Sequence, residues 1–228
     1  MSTTPRTRID VAARIDAAVL APGATDADVR HICAAALVHG VRGVMVRLDH
    51  VAVVTAEVAG SGLDVVAAVG LDASADAETV DAALLDEVAA AGGAGAYEVD
   101  VPVPTAVFDA DDDIARRAIA RAVTTAHDTD LAIACTLDTA ELRGPQLRRA
   151  VAICVAAGAD RIATASGPAT GRPSVADVRA VATAAGDRAQ VGATGVVSDW
   201  DELVAFLDAG ADVVATPTFV TVLDDAPR

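Results

Sequence analysis

Eight short apolar runs, most of them followed by an amphipathic segment, limit what this chain can fold into. Seven are rich in β-branched residues or alternate apolar with polar ones: 44-VMV-46, 65-VVAAV-69, 97-YEVDV-101, 131-LAIACTL-137, 161-RIATA-165, 190-QVGAT-194 and 212-DVVAT-216. The run 15-IDAAVLA-21 supplies an eighth, preceded by a small helix near Arg6 to Ala13. Between them lie segments with helical spacing, such as 26-DADVRHICAAALVHG-40, 112-DDIARRAIARAVTTAH-127, 147-LRRAVAICVAAG-158, 174-SVADVRAVATAAG-186 and 199-DWDELVAFLDAG-210. Several open on Ser or Asp and close on Gly, the residues that satisfy helix ends. Strand–helix alternation builds βαβ units, and βαβ units build parallel sheets. Eight units in this length predict an α/β fold: a single-domain (β/α)8 barrel spanning 1–228 with a short N-terminal helix. An open doubly wound sheet is the alternative, but no GxGxxG turn follows an early strand.

Composition narrows the function. The hydrophobic share is 53% while aromatics make up 2%, so the core is built from Ala, Val, Leu and Ile, and platforms for stacking bases are scarce. A net charge of −16 repels nucleic acid and anionic membrane surfaces. No run approaches the roughly 18 apolar residues that span a bilayer, and MSTTPRTRID has no apolar signal core. A cytoplasmic protein is expected, with no nucleic-acid and no membrane partner. Cys33, Cys135 and Cys154 sit in separate apolar runs and read as buried reduced thiols rather than a metal site or disulfide framework. All 17 basic residues are Arg. Without lysine the chain can make no side-chain Schiff base and has no lysine general base.

In a barrel of this kind active sites gather at the C-terminal ends of the strands. Polar residues near those ends are Asp16, Arg47, Asp72, Asp100, Asp138, Thr164, Ser166, Thr194, Thr216 and Thr218. Together they suggest a pocket for a small-molecule ligand. Asp100 lies among valines, where an unpartnered carboxylate is costly; it reads as a general acid/base or as a carboxylate held by a hydroxyl or an Arg across the barrel. Asp138 and Asp16 are further acid/base candidates, with loop capping as the other reading. Arg47 could grip a carboxylate or phosphate, or neutralise Asp16 or Asp72. The four aspartates lack a histidine companion and close ligand spacing, so neither metal nor cofactor is expected. His31, His39, His50 and His127 fall on helices or adjacent turns, away from the strand ends. The run 109-DADDD-113 suits a helix N-terminus, and Arg172 reads as an exposed loop residue.

Six segments in order resemble the deoxyribose-phosphate aldolase family, class I aldolases on a (β/α)8 barrel. The first, 15-IDAAVLAPGATDADV-29, is similar to the family's "IDHTLLKPDAT"; 95-GAYEVDVPV-103 to "GADEIDMVI"; 137-LDT-139 to "LET". Then 158-GADRIATASG-167 is similar to "GADFVKTSTG", 191-VGATGVV-197 to "VKASGGI", and 209-AGADVVATPT-218 to "AGATRIGTSS". The resemblance runs from about Arg14 to Leu223. It implies that Ala163 stands at the Schiff-base lysine, that Gly192 stands at the second lysine, and that Asp100 keeps the aspartate of the proton relay. The implied phosphate cup is altered as well: its paired glycines become Gly195 and Val196, and its Gly-Thr-Ser-Ser becomes Ala215, Thr216, Pro217 and Thr218. Pro217 removes a backbone donor. Aldol cleavage through a lysine is therefore excluded, while Thr164, Ser166 and Gly167 can still hydrogen-bond a ligand. Two readings follow. One is a lysine-independent lyase, cyclase or isomerase of specialised biosynthesis, acting on a small oxygenated sugar- or carbonyl-type metabolite through Asp100. The other is a silent pseudo-aldolase that binds a metabolite or a partner enzyme. The family resemblance also implies a possible homodimer.

Overall fold

The computed structural model describes residues 7–71, 80–109, 111–165 and 173–227. Eight parallel strands close into one barrel in sequence order, β1 bonding to both β2 and β8. The strands are β1 (Ile15–Val19), β2 (Gly43–Arg47), β3 (Asp64–Ala68), β4 (Glu98–Val103), β5 (Ala132–Asp138), β6 (Arg161–Ala165), β7 (Gln190–Thr194) and β8 (Val213–Thr216). All eight apolar runs are strands, within a few residues of the boundaries the sequence suggests. The leading helix α1 (Arg8–Ala12) opens on a capping box in which Thr7 and Asp10 satisfy each other's backbone.

The outer helices are α2 (Asp26–His39), α3 (Val51–Glu57), α4 (Ala82–Gly93), α5 (Asp112–His127), α6 (Pro145–Ala157), α7 (Val175–Ala185), α8 (Trp200–Asp208) and α9 (Phe219–Asp224). Their starts show why these segments turn helical where they do. Thr25 and Ser174 close capping boxes with Asp28 and Asp177, and Asp81, Asp111 and Asp199 accept first-turn N–H groups. At the other ends, Gly40 and Gly158 adopt the left-handed conformation that stops a helix cleanly.

Side chains alternate across each strand, and the two faces divide the core. On β4, Val99, Val101 and Val103 point outward into the large layer between barrel and helices, which also holds Phe206, Phe219, Ile133 and Leu203. Glu98, Asp100 and Pro102 share the opposite face. The lumen's own apolar cluster is small: Ala18, Met45, Val66, Ala68 and Ala215. The middle of the barrel is thus lined by short side chains, which leaves charged residues to fill it.

Candidate functional site

The charged lining begins at the N-terminal mouth. Arg42, just before β2, donates through one Nη to both oxygens of Asp16, at 2.8 and 2.7 Å. Its other Nη donates to Glu98 at 2.7 Å and lies 3.2 Å from Asp64. Glu98 uses its second oxygen to accept from Arg161, whose remaining Nη reaches Gln190 at 3.2 Å. Burial lowers the proton affinity of Arg42, but the charges of Asp16 and Glu98 outweigh it and hold the guanidinium above its usual range. Burial pushes the Asp16 carboxyl up, against the pull of Arg42. A cavity of about 710 Å³ opens below this network, with Arg14, Tyr97, Asp160 and Asp212 at its rim.

Glycine makes the network possible. A Cβ on Gly43 would stand 2.5 Å from the Asp64 carbonyl oxygen and 3.0 Å from an Asp16 oxygen. The close approach that lets Arg42 meet three carboxylates therefore excludes any side chain there.

Asp100 lies one layer higher, third of six residues on β4. It is 9% exposed, and its Oδ1 accepts from the Thr136 hydroxyl at 2.6 Å. Burial pushes its carboxyl up to about 7; the Thr136 bond and Arg161 pull down, while Glu98 and Asp16 push further up. A small space of about 10 Å³ adjoins it, bounded by Asp16, Glu98, Arg161, Ala163, Gly192 and Thr194 among others. That is room for about one water. Ala163 and Gly192 face one another in register across β6 and β7. A Cβ on Gly192 would meet the Ala163 Cβ at 3.0 Å and the Arg161 Cδ at 3.1 Å.

At the C-terminal mouth much of the polar lining is already engaged. Asp138 accepts from the backbone of Ala140 at 2.9 Å and Glu141 at 3.3 Å, capping the loop after β5. The hydroxyls of Thr216 and Thr218 lie 2.8 Å apart, and both accept from Val197 N–H at 3.3 Å. Thr218 also donates to the Val197 carbonyl, and Gly195 N–H donates to Ala215 at 2.9 Å. The segment resembling a phosphate cup is closed on itself. Arg47 stands beside Asp49, Ala68, Gly70 and Glu87 around a separate cavity of about 310 Å³.

Several residues sit elsewhere than the sequence suggests. Asp16 is the second residue of β1 and belongs to the N-terminal mouth, so its partner is Arg42 and not Arg47. Thr164 is fully buried, alternates with the lumen-facing Ala163, and its hydroxyl has no partner among the described residues. His50 is not remote from the strand ends: it lies in the turn directly after β2, its ring 3.0 Å from both an Asp26 oxygen and the Ala24 carbonyl, tying two mouth loops together. Asp72, Ser166, Gly167 and Arg172 fall outside the described residues. Sequence reasoning missed Arg42, Glu98 and Arg161. The signal was present, since Glu98 shares a strand face with Asp100, and Arg161 with Ala163, at a spacing of two.

No family model matches the sequence. Curated relatives do. The deoxyribose-phosphate aldolase of Corynebacterium glutamicum is 31% identical over 225 residues, covering 97% of this chain and 98% of its own. That of Haloquadratum walsbyi is 30% identical over 227 residues, covering 96% of each. Among solved structures, the tetrameric deoxyribose phosphate aldolase from Aeropyrum pernix superposes with a TM-score of 0.85 at 24% identity, over 96% of this chain and 91% of its own. An aldolase designated QR15 gives 0.85 at 23% identity, over 95% of each. At these identities the structural neighbours establish the fold. No helix among the described residues is long and apolar enough to cross a membrane.

Proposed function

The chain belongs to the deoxyribose-phosphate aldolase family, and from that premise we propose that it is a lysine-independent lyase or isomerase acting on a small oxygenated carbonyl metabolite. Its proton-transfer group is Asp100. The observation that carries this reading is a buried carboxyl in the barrel lumen, held by Thr136 and sharing a small space with the alanine that stands for the family's nucleophile. Burial pushes that carboxyl up to about 7, toward the range in which a group can both take and return protons at neutral pH. Ionised Asp100 takes the proton from the carbon next to the carbonyl. The C–H pair becomes the enolate double bond and the charge moves to the carbonyl oxygen. Where the α carbon carries a hydroxyl, its proton passes to the former carbonyl oxygen and Asp100 returns the carbon proton to the former carbonyl carbon, which isomerises the substrate; expulsion of a leaving group from the β carbon of the enolate gives elimination instead.

Thr136 is placed to hold Asp100 rather than the substrate, because its hydroxyl is spent on the carboxylate. Asp138, Asp16, Thr216 and Thr218 serve as scaffold in this reading, each with partners inside the protein. Arg47 and Thr194 are the candidate substrate contacts because each is the last residue of its strand, β2 and β7, at the C-terminal end of the barrel. The closed cup around Val197 argues for an unphosphorylated substrate, or one whose phosphate is held elsewhere.

The same closed cup favours one rival, a silent barrel that binds a metabolite without turnover. Proton exchange separates the two. In D₂O, small aldehydes and ketones are incubated with the protein and deuterium uptake next to the carbonyl is followed by NMR. Enolisation gives enzyme-dependent uptake, and Asp100→Asn lowers it by about 10²-fold or more. Uptake that Asp100→Asn leaves unchanged would sink the Asp100 role. Binding seen by thermal shift with no uptake by either protein supports the silent barrel.

A further inference from the structure

We propose that Arg161 is a positioning residue of the lumen: in a barrel without lysine it supplies, beside Asp100, a fixed positive charge that favours the ionised carboxylate. The inference rests on the reading of Asp100 as the proton-transfer group.

The geometry begins with register. Asp100 pairs with Ala134, and Ala134 with Arg161, so the three residues form one row across β4, β5 and β6. Neighbouring strands lie about 4.8 Å apart, which separates the Asp100 and Arg161 backbones by about 10 Å. The residue between them is an alanine, so no side chain screens the pair. Both are nearly buried and border the same small space of about 10 Å³, where charges are less screened than in water.

The arginine is also fixed. Arg161 is 7% exposed; Glu98 and Gln190 hold its two terminal nitrogens, while its Nε has no partner among the described residues. Its stem passes where a side chain on residue 192 would stand, 3.1 Å from that Cβ position. The cation therefore occupies lumen space that Gly192 leaves free. Sequence agrees: "GADFVKTSTG" has Phe and Lys where this chain has Arg161 and Ala163. Two residues on one strand face have exchanged which of them carries the charge.

The charged groups that act on Asp100 are Asp16 from β1, Glu98 from its own strand and Arg161 from β6; Arg42, just before β2, ties Asp16 and Glu98 to Asp64 of β3. Cys135, on the outer face of β5, is the remaining close titratable group. Arg42 is saturated by three carboxylates. Arg161 pairs directly with Glu98, which it shares with Arg42, and its charge also acts on Asp16 and Asp64. It is Arg161, not Arg42, that lines the same small space as Asp100.

The test reads the ionisation of Asp100 in the substrate-free full-length protein, by carboxyl ¹³C shift against pH, with the signal assigned by its loss in Asp100→Asn. Arg161→Gln is expected to raise the midpoint by about one pH unit. Arg161→Lys, which keeps the charge, is expected to restore it to near the parent value. A folded Arg161→Gln protein with an unchanged midpoint overturns the proposal, as does a rise that Lys fails to reverse. Stranding Glu98 could unfold the single variant, so Glu98→Gln is compared with Glu98→Gln/Arg161→Gln, where no anion is left alone. The same upward shift is expected in that pair, and its absence overturns the proposal equally. Because no substrate is present, this result stands apart from the deuterium-exchange test of turnover.

Discussion

Asp100 illustrates how one side chain's surroundings become a measurable property of the whole protein. Its carboxyl is raised from 3.8 to about 7 by burial, so folding favours the protonated form over the ionised one. The sign follows from linkage. Below pH about 4 the group is protonated in both states and costs nothing; above it the unfolded chain releases a proton that the folded chain still holds. Stability at this residue is therefore full at low pH and is lost as pH rises through 7, by on the order of a few kcal/mol. Asp64 and Asp16 are raised as well and act in the same direction. Asp100→Asn removes one of these groups, so its unfolding midpoint in denaturant should fall less between pH 4 and 7 than that of the parent protein. Parallel curves would mean that Asp100 titrates normally. The sequence made Asp100 legible because an acid among valines has few cheap explanations. It did not reveal how the aspartates differ, since that depends on where each strand starts. One residue of offset assigns Asp16 to Arg42 at the N-terminal mouth, while Asp138, last in its strand, turns to cap a loop.

Elements carry the fold, and here sequence was most informative, because β-branched runs and cap residues are local signals. The short α3 and α9, and the Ala- and Gly-rich 82-AALLDEVAAAGG-93 of α4, were not picked out; their helicity owes more to packing on the barrel than to local pattern. Pro102 shows a strand tolerating a missing donor. It lies two residues beyond Asp100, on the side facing β3, and β3 has already ended at Ala68. The β6–β7 pair offers the sharpest test at this scale. Gly192→Ala places a methyl 3.0 Å from Ala163 and 3.1 Å from the Arg161 stem, both inside a barrel that cannot splay. A loss of about 1–3 kcal/mol is expected by denaturant unfolding, the usual cost of overpacking. Combining it with Arg161→Gln should recover part of that loss by freeing the stem, whereas strict additivity would mean that the arginine is not what the methyl meets.

At the scale of the whole molecule, the barrel separates stability from chemistry along its axis. The N-terminal mouth is closed by Arg42, Asp16, Asp64, Glu98 and Arg161, a buried network in which removing one member strands the others. Arg42→Met leaves Asp16 without its bidentate partner and should cost about 3–5 kcal/mol in urea unfolding; a loss under 1 kcal/mol would mean that the network is idle. In the proposed reading the C-terminal mouth admits the substrate, and the absence of lysine throughout the chain turns that requirement into a clean experiment. Short aldehydes with borohydride should leave every side chain of the parent protein unmodified, any adduct falling on an α-amino group, because no other primary amine exists. Ala163→Lys introduces a single side-chain amine into the lumen beside Asp100, where burial lowers its pKa but the carboxylates of Asp16 and Glu98 raise it, so trapping is run at alkaline pH, where the free amine is nucleophilic. Mass spectrometry of the trapped variant should find the adduct on residue 163. A folded variant that traps nothing there would show that aldehydes do not reach the lumen from the C-terminal mouth, and the enzymatic reading would fail with it.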